Sequence, residues 1–179
     1  LGFVPSQTLI SGDVEPERMM RLLDLLTGEY ENLILDMPSQ LDALYAAIIE
    51  RVTRLVLVVR QDLASVRHAS KLRGLLEHEL DLPRNVISLV VNFHDSDQPI
   101  SIEDINRVLS LELLGAIARD EESMAVANSL GRPLVTHASG SMVQRSILRI
   151  AHALIGREEA GPQDQNLVRR VLQRLRVSR

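Results

Sequence analysis

LVLVV, residues 55 to 59, decides the fold. The run is apolar throughout, rich in Val, and too short for a helix, so it reads as a strand. Its hydrophobicity is continuous rather than alternating. That marks a strand covered on both faces, as in a parallel sheet. VISLVV, residues 86 to 91, repeats the signature and ends at Asn92. Shorter apolar runs, Leu33 to Asp36 and Leu113 to Ile117, read as two more strands.

Helical stretches separate these runs. Asp13 can cap a helix through Gly28, with Pro16 in its first turn and Met19, Leu22, Leu23 and Leu26 on one face. Ser39 can cap the next helix, which turns Leu41, Leu44, Tyr45 and Ile48 inward. Asp62 opens a helix to about Leu80, with Leu63, Val66, Ala69, Leu72 and Leu76 as its buried stripe. Residues 94–99 (HDSDQP) form a loop, and Ser101 caps a short helix to about Leu109. Glu121 to Leu130 is helical, stopped by Gly131 and Pro133, and Ser139 or Ser141 starts a last helix to about Ile155. Strand and helix alternate, which predicts a doubly wound α/β fold with a mostly parallel sheet.

Ligands of such sheets lie beyond the C-terminal ends of the strands. Those ends carry Asp36 with Pro38, Arg60 with Gln61 and Asp62, Asn92, and Arg119 with Asp120. A strand end is also polar simply because it meets water, so each residue has a bland reading beside the functional one.

Composition narrows the class. With 179 residues, 45% of them hydrophobic, the chain is long and apolar enough for one domain with a real core. It has no cysteine, which excludes disulfides and Cys-based zinc sites and fits a reducing cytoplasm. No apolar run reaches the roughly 18 residues that span a bilayer, and no signal peptide is visible. The chain starts at Leu1 rather than Met, which reads as a start set by processing or truncation. Aromatics are only 2%, against stacking on single-stranded nucleic acid.

The chemistry is defined largely by exclusion. A phosphate cradle of the form G-x-x-x-x-G-K-[ST] needs inward-pointing N–H groups and a Lys. The chain holds one lysine, Lys71, inside a helical stretch, and its one G-x-x-x-x-G spacing, Gly156 to Gly161, runs into Pro162 and Gln163. There is no G-x-G-x-x-G, no G-x-S-x-G elbow and no H-E-x-x-H metal helix. His94, Asp95 and Asp97 offer metal-ligand chemistry, but in one loop that reads better as a solvated turn. His68, His78, His137 and His152 have no evident partner in sequence.

Four segments in order, YENLILDMP, RLVLVVRQDLASVRHASKL, VISLVVNF and LLGAIARDEESMAVANSLGRPLV, resemble the C-terminal two-thirds of MinD/ParA-type ATPases. Within that group the chain looks most like the CpaE/TadZ branch, which serves Flp/Tad-type pilus assembly at the cell pole. The resemblance covers about residues 8 to 155. It implies a P-loop NTPase-like fold whose first strand and P-loop lie upstream of Leu1. A degenerate member that never binds ATP is the runner-up.

By that resemblance Asp36 holds magnesium through water, and Asn92, Arg119 and Asp120 meet the nucleotide base. Asp62 and Ser65 fall near a nucleotide-dependent dimer interface. The family often has Pro-Pro or Leu-Pro after the acid, with a Gly nearby. Here Met37, Pro38, Ser39 and Gln40 follow, a departure that bears on hydrolysis more than on binding. ATP and Mg are the implied cofactors of the full-length protein, with none expected on this chain alone and no catalytic residue assigned. The implied partners are a second copy of the chain and pilus-assembly or secretion proteins. The implied location is cytoplasmic, peripheral at the inner membrane or cell pole.

The domain reading is a partial ATPase domain over 1–156, a linker over 157–164 and a basic helix over 165–179. That last stretch has five arginines and no acid, whereas the other 164 residues have 15 basic and 24 acidic side chains, a net of −9. An acidic body argues against duplex DNA as a partner. In the tail Val168, Val171, Leu172 and Leu175 share one helical face, with Arg169, Arg170, Arg174 and Arg176 over much of the rest. Such a helix suits an anionic membrane surface, each Arg near it contributing about 1 kcal/mol. The other reading is a helix docked on its own domain or a partner.

Overall fold

A computed structural model describes residues 15–37, 42–131, 133–134 and 140–156. Its centre is a parallel sheet of three strands: β1 (Leu55–Arg60), β2 (Ile87–His94) and β3 (Glu112–Ala118), in that spatial order. β1 and β2 pair in continuous register from Leu55 opposite Ile87 to Arg60 opposite Asn92. The β2–β3 ladder shifts register between Leu89 and Val90 and again between Val91 and His94.

Among the described residues six α-helices flank the strands: α1 (Pro16–Glu29), α2 (Ala43–Ile49), α3 (Leu63–His78), α4 (Ile102–Leu109), α5 (Glu121–Ser129) and α6 (Met142–Leu154). The predicted caps hold for three of them. Asp62 caps α3, Ser101 caps α4 and Ser141 caps α6, each accepting from a backbone N–H three residues on. At α4 Asp104 returns the contact to the Ser101 N–H, completing a capping box. Asp42, not Ser39, caps α2. Asp13, Pro38, Ser39, Gln40 and Leu41 lie outside the described residues.

The core sits on one face of the sheet. Leu55, Leu57 and Val59 of β1 and Ile87, Leu89 and Val91 of β2 pack against Val66, Ala69 and Leu76 of α3 and Ile105 and Leu109 of α4, with Tyr45 and Ile49 of α2 joining them. On the opposite face α6 packs over β3 and leaves β1 open. Gly115, paired with Val90, lets α6 come so close that a Cβ there would stand 3.1 Å from Ile150 Cγ1. Helices on both faces make the sheet doubly wound. No helix of the described residues is long and apolar enough to cross a membrane.

Three further sequence expectations fail. Leu33 to Asp36 is not a strand: the backbone there joins no ladder, and Ile34 is 89% exposed. An apolar run becomes a strand only beside a neighbour whose backbone groups match its own, and no described strand pairs with it. β1 is covered on one face, not two. Its accessibility alternates and Val58 is 59% exposed, because α6 packs over β3 rather than β1. Leu63, expected in the buried stripe of α3, is exposed at the first turn of that helix.

One ion pair sets a pH dependence. Arg84 donates from Nε and Nη2 to the two Glu77 oxygens at 2.7 and 3.1 Å. That hydrogen bonding is the main reason the Glu77 carboxyl lies below its ordinary value of 4.5, with Arg84 and Arg73 charges adding to it against a smaller burial effect. A lowered folded-state pKa contributes stability above the unfolded value and loses it as pH falls through the folded one. Thermal unfolding from neutral pH to about pH 3 should therefore show a shallower acid limb in Glu77→Gln than in wild type. Parallel limbs in the two proteins would contradict this role.

Candidate nucleotide-binding cleft

All three strands end at one rim, and a cleft of about 100 Å³ opens there, lined by Arg60, Gln61, Asp62, Phe93, Gln98, Arg119 and Glu121. The turn from β1 into α3 builds one wall. Asp62 Oδ1 accepts from Ser65 N–H at 2.8 Å, and Ser65 Oγ accepts from Arg60 N–H at 2.9 Å. This exchange fixes where the Arg60 side chain starts. Arg60 Nε also lies 3.7 Å from Asp62 Oδ2.

Gln61 anchors the floor and is only 7% exposed. Its Nε2 donates to Ile100 O at 2.9 Å. Its Oε1 accepts from Asp95 N–H at 2.8 Å and meets His94 Nδ1 at 3.0 Å. One amide thus ties the end of β1 to both ends of the loop after β2. That loop is further shaped by Asp95 Oδ1 accepting from Asp97 N–H at 3.0 Å. Among the described residues no group of three His, Asp or Glu side chains is placed to hold a metal ion.

The far wall comes from β2 and β3. Arg119 N–H donates to His94 O at 2.9 Å, stitching the loops after the two strands together. The Arg119 guanidinium grips Glu121 Oε1 from Nε at 3.0 Å and Nη2 at 2.7 Å, with Nη1 3.9 Å from Asp95 Oδ2. Asp120 caps α5 by accepting from Ser123 N–H at 3.1 Å. Phe93 follows Asn92 with a positive φ of 56°, its N–H donating to Asn92 Oδ1 at 2.9 Å. The Arg60 guanidinium carbon lies 5.0 Å from the Phe93 ring centroid. Both arginines of the cleft have acidic partners at exposed positions, where an ion pair is worth only about 0–1 kcal/mol. Little holds either guanidinium against a planar or anionic ligand.

The predicted site residues divide here. Arg119 and Asp62 line the cleft, whereas Asn92 and Asp120 do not, although each adjoins a lining residue in sequence. Ser65 shapes the β1–α3 turn. Asp36 is exposed in irregular backbone and does not line the cleft, although its neighbour Met37 packs against the core. The tail residues Val168, Arg169, Arg170, Val171, Leu172, Arg174 and Leu175 lie outside the described residues, as does the linker 157–164. Sequence reasoning named Gln61 only as one of the polar strand-end residues and passed over Phe93. Phe93 did carry a signal, being one of two phenylalanines and placed just past a strand end.

No protein-family model matches the chain. It is similar to the septum site-determining protein MinD of Synechocystis, 29% identical over 150 residues that make up 81% of this chain and 55% of that protein. The MinD of Bacillus subtilis is 28% identical over 149 residues, 80% of this chain and 55% of the relative. The chain therefore spans about half the length of the curated relatives it matches. Among solved structures it resembles a ParA family ATPase from Chlorobium tepidum, with a TM-score of 0.71 and 25% identity over 79% of this chain and 57% of that one. It also shares the fold of MinD from Pyrococcus horikoshii, solved with Mg-ADP, with a TM-score of 0.66 and 20% identity over 86% of this chain and 61% of that one. The likeness is to the MinD/ParA-type ATPases, and the open parallel sheet is theirs.

Proposed function

We propose that this chain forms the base-binding side of the nucleotide site of a MinD/ParA-like ATPase, in which ATP with Mg drives homodimerisation. The observation that carries the reading is the Arg119 N–H to His94 O bond, which sets the loops after β2 and β3 side by side. Asn92, Arg119 and Asp120 thereby share one rim at the C-terminal ends of the strands, where such sheets take ligands. A solved relative by fold carries Mg-ADP, which fits the same reading.

The residues fit the two halves of a nucleotide unequally. The rim offers hydrogen-bonding and planar groups for a base. Asp36 offers the hard oxygen that magnesium prefers, reached through water. The phosphates, however, find no glycine-rich loop with a lysine, since Lys71 lies mid-way along α3. In a full-length protein the phosphate donors must come from other residues, with Asp62 and Ser65 facing the dimer partner. Polar localisation of Flp/Tad-type pilus or secretion machinery is the finer assignment, supported by the CpaE/TadZ likeness of the four ordered segments. A contact of residues 165–179 with anionic membrane rests on their basic amphipathic pattern.

The second reading is a non-catalytic localisation adaptor on the same fold, favoured by the departure after Asp36, where Met37, Pro38, Ser39 and Gln40 stand in place of the usual Pro-Pro or Leu-Pro. Calorimetry of Mg-ATP against the full-length natural polypeptide separates the two. The ATPase reading expects saturable binding, weakened about tenfold in Asn92→Ala, the effect of one good hydrogen bond to the base. Folded protein that releases no heat with Mg-ATP would leave the adaptor.

A further inference from the structure

Phe93 occupies a conformation that does not suit it. A φ of 56° is a genuine outlier for a bulky side chain, and strain of this kind gathers at functional sites. Core packing does not explain it. The ring is 41% exposed and stands outside the hydrophobic cluster that holds the sheet together. The structure around it keeps the strained turn in place: Asn92 Oδ1 accepts the Phe93 N–H, and Gln61 and Arg119 fix the loop that follows. The result is an aromatic face on a braced backbone, at the wall of a cleft with two guanidinium groups.

Arg60 shows how that face is used. Its guanidinium lies over the ring as a flat cation on a π system. The Arg60 side chain is two-thirds exposed, and its nearest carboxylate is at 3.7 Å, so it can swing aside or close over a second planar group. The 5.0 Å between guanidinium carbon and ring centroid leaves no room for a third layer, so a planar ligand takes the ring face once Arg60 swings aside.

We propose that Phe93 is the stacking platform for a purine base, with Arg60 as its movable cover. The inference rests on the nucleotide reading of the cleft and assigns the base a platform besides its hydrogen-bonding edge. Purines stack more strongly than pyrimidines, so the platform favours AMP over UMP by a modest factor. Ribose 5-phosphate, which has no base, gains nothing from Phe93.

The chain contains no Trp, so Phe93→Trp places a single indole reporter at the platform. Titrating AMP into it should quench and shift the emission saturably, and ribose 5-phosphate should not. By saturation-transfer NMR on the unlabelled chain, Phe93→Ala should raise the Kd for AMP about five- to a hundredfold, the span of aromatic–base stacking. Phe93→Gly should bind AMP as weakly as the Ala variant yet melt at a higher temperature than wild type, because glycine accepts the positive φ. A purely structural Phe93 would instead lower the melting temperature when removed. Equal AMP affinity in wild type and Phe93→Ala would overturn the platform and leave the nucleotide site standing. A folded wild-type chain that binds no AMP at millimolar excess would remove both.

Discussion

Gln61→Leu is expected to lower folding stability by about 3 kcal/mol and to release the loop after β2. Leu nearly matches Gln in volume, so little packing is lost. The hydrogen bonds are what go. Asp95 N–H and Ile100 O, both bonded to the Gln61 amide, lose their partner next to a side chain that is 7% exposed. Each group left without a partner at these half-buried positions costs about 1–3 kcal/mol. Urea unfolding gives the loss directly. Amide exchange localises it, with the Asp95 N–H expected to exchange far faster than in wild type while β2 amides keep their order. A change within about 0.5 kcal/mol, the range of ordinary surface substitutions, would show that the loop stands without its amide. Because the same loop carries Gln98 at the cleft and meets Arg119 through His94 O, loss of Gln61 should also weaken nucleotide binding by the full-length protein.

What the sequence could show depended on how local the determining interaction was. The capping residues Asp62, Ser101 and Ser141 were legible because a cap is settled within four residues. LVLVV and VISLVV were legible as strands because continuous apolar runs of that length have few other uses. One failure is local, since Asp42 and not Ser39 caps α2, but the failures in the sheet are non-local. Leu33 to Asp36 has a strand's composition, but a strand exists only as half of a pair, and no run of four residues records whether its neighbour is present. Val58 reads as buried because its run is unbroken, yet its exposure depends on which strand α6 lies across. Asp62 and Ser65, assigned by likeness to a dimer interface, make a helix cap and brace Arg60 in the monomer. Those contacts neither require nor forbid the dimer.

The candidate site divides the same way. Its place at the strand ends follows from alternation of strand and helix, and Arg119 was found by that logic. Gln61 looked like any polar residue at a strand end. Its importance lies in three groups 33 to 39 positions away, which no spacing rule reaches. Phe93 is hidden differently, since nothing in VVNFHD announces a left-handed backbone at an aromatic residue.

Gly115→Val is the substitution expected to do most damage to the sheet, about 4 kcal/mol. Two effects combine. Gly115 has a φ of 154°, which L side chains rarely adopt and which suits a β-branched residue least. Its missing side chain is also the space into which Ile150 of α6 projects. The first carbon alone would sit 3.1 Å from Ile150 Cγ1, and valine adds two methyl groups beyond it. Overpacking of this kind costs about 1–3 kcal/mol and the backbone about as much again. Against a typical total of about 5–15 kcal/mol, the variant would be marginal or unfolded at ambient temperature. Gly115→Ala should fall between, since Ile150 is a side chain that can shift by a few tenths of an ångström. Gly115→Val with Ile150→Ala should recover the packing share but not the backbone share. Circular dichroism melts of the three variants read out that order. If Gly115→Val melts within a few degrees of wild type, α6 does not ride on β3 at this point. If the double variant recovers nothing, the loss belongs to the backbone alone. The consequence reaches the cleft, because the strand that Gly115 interrupts delivers Arg119 to the rim four residues later. A sheet pushed away from α6 would carry that guanidinium away from Phe93 and Gln61.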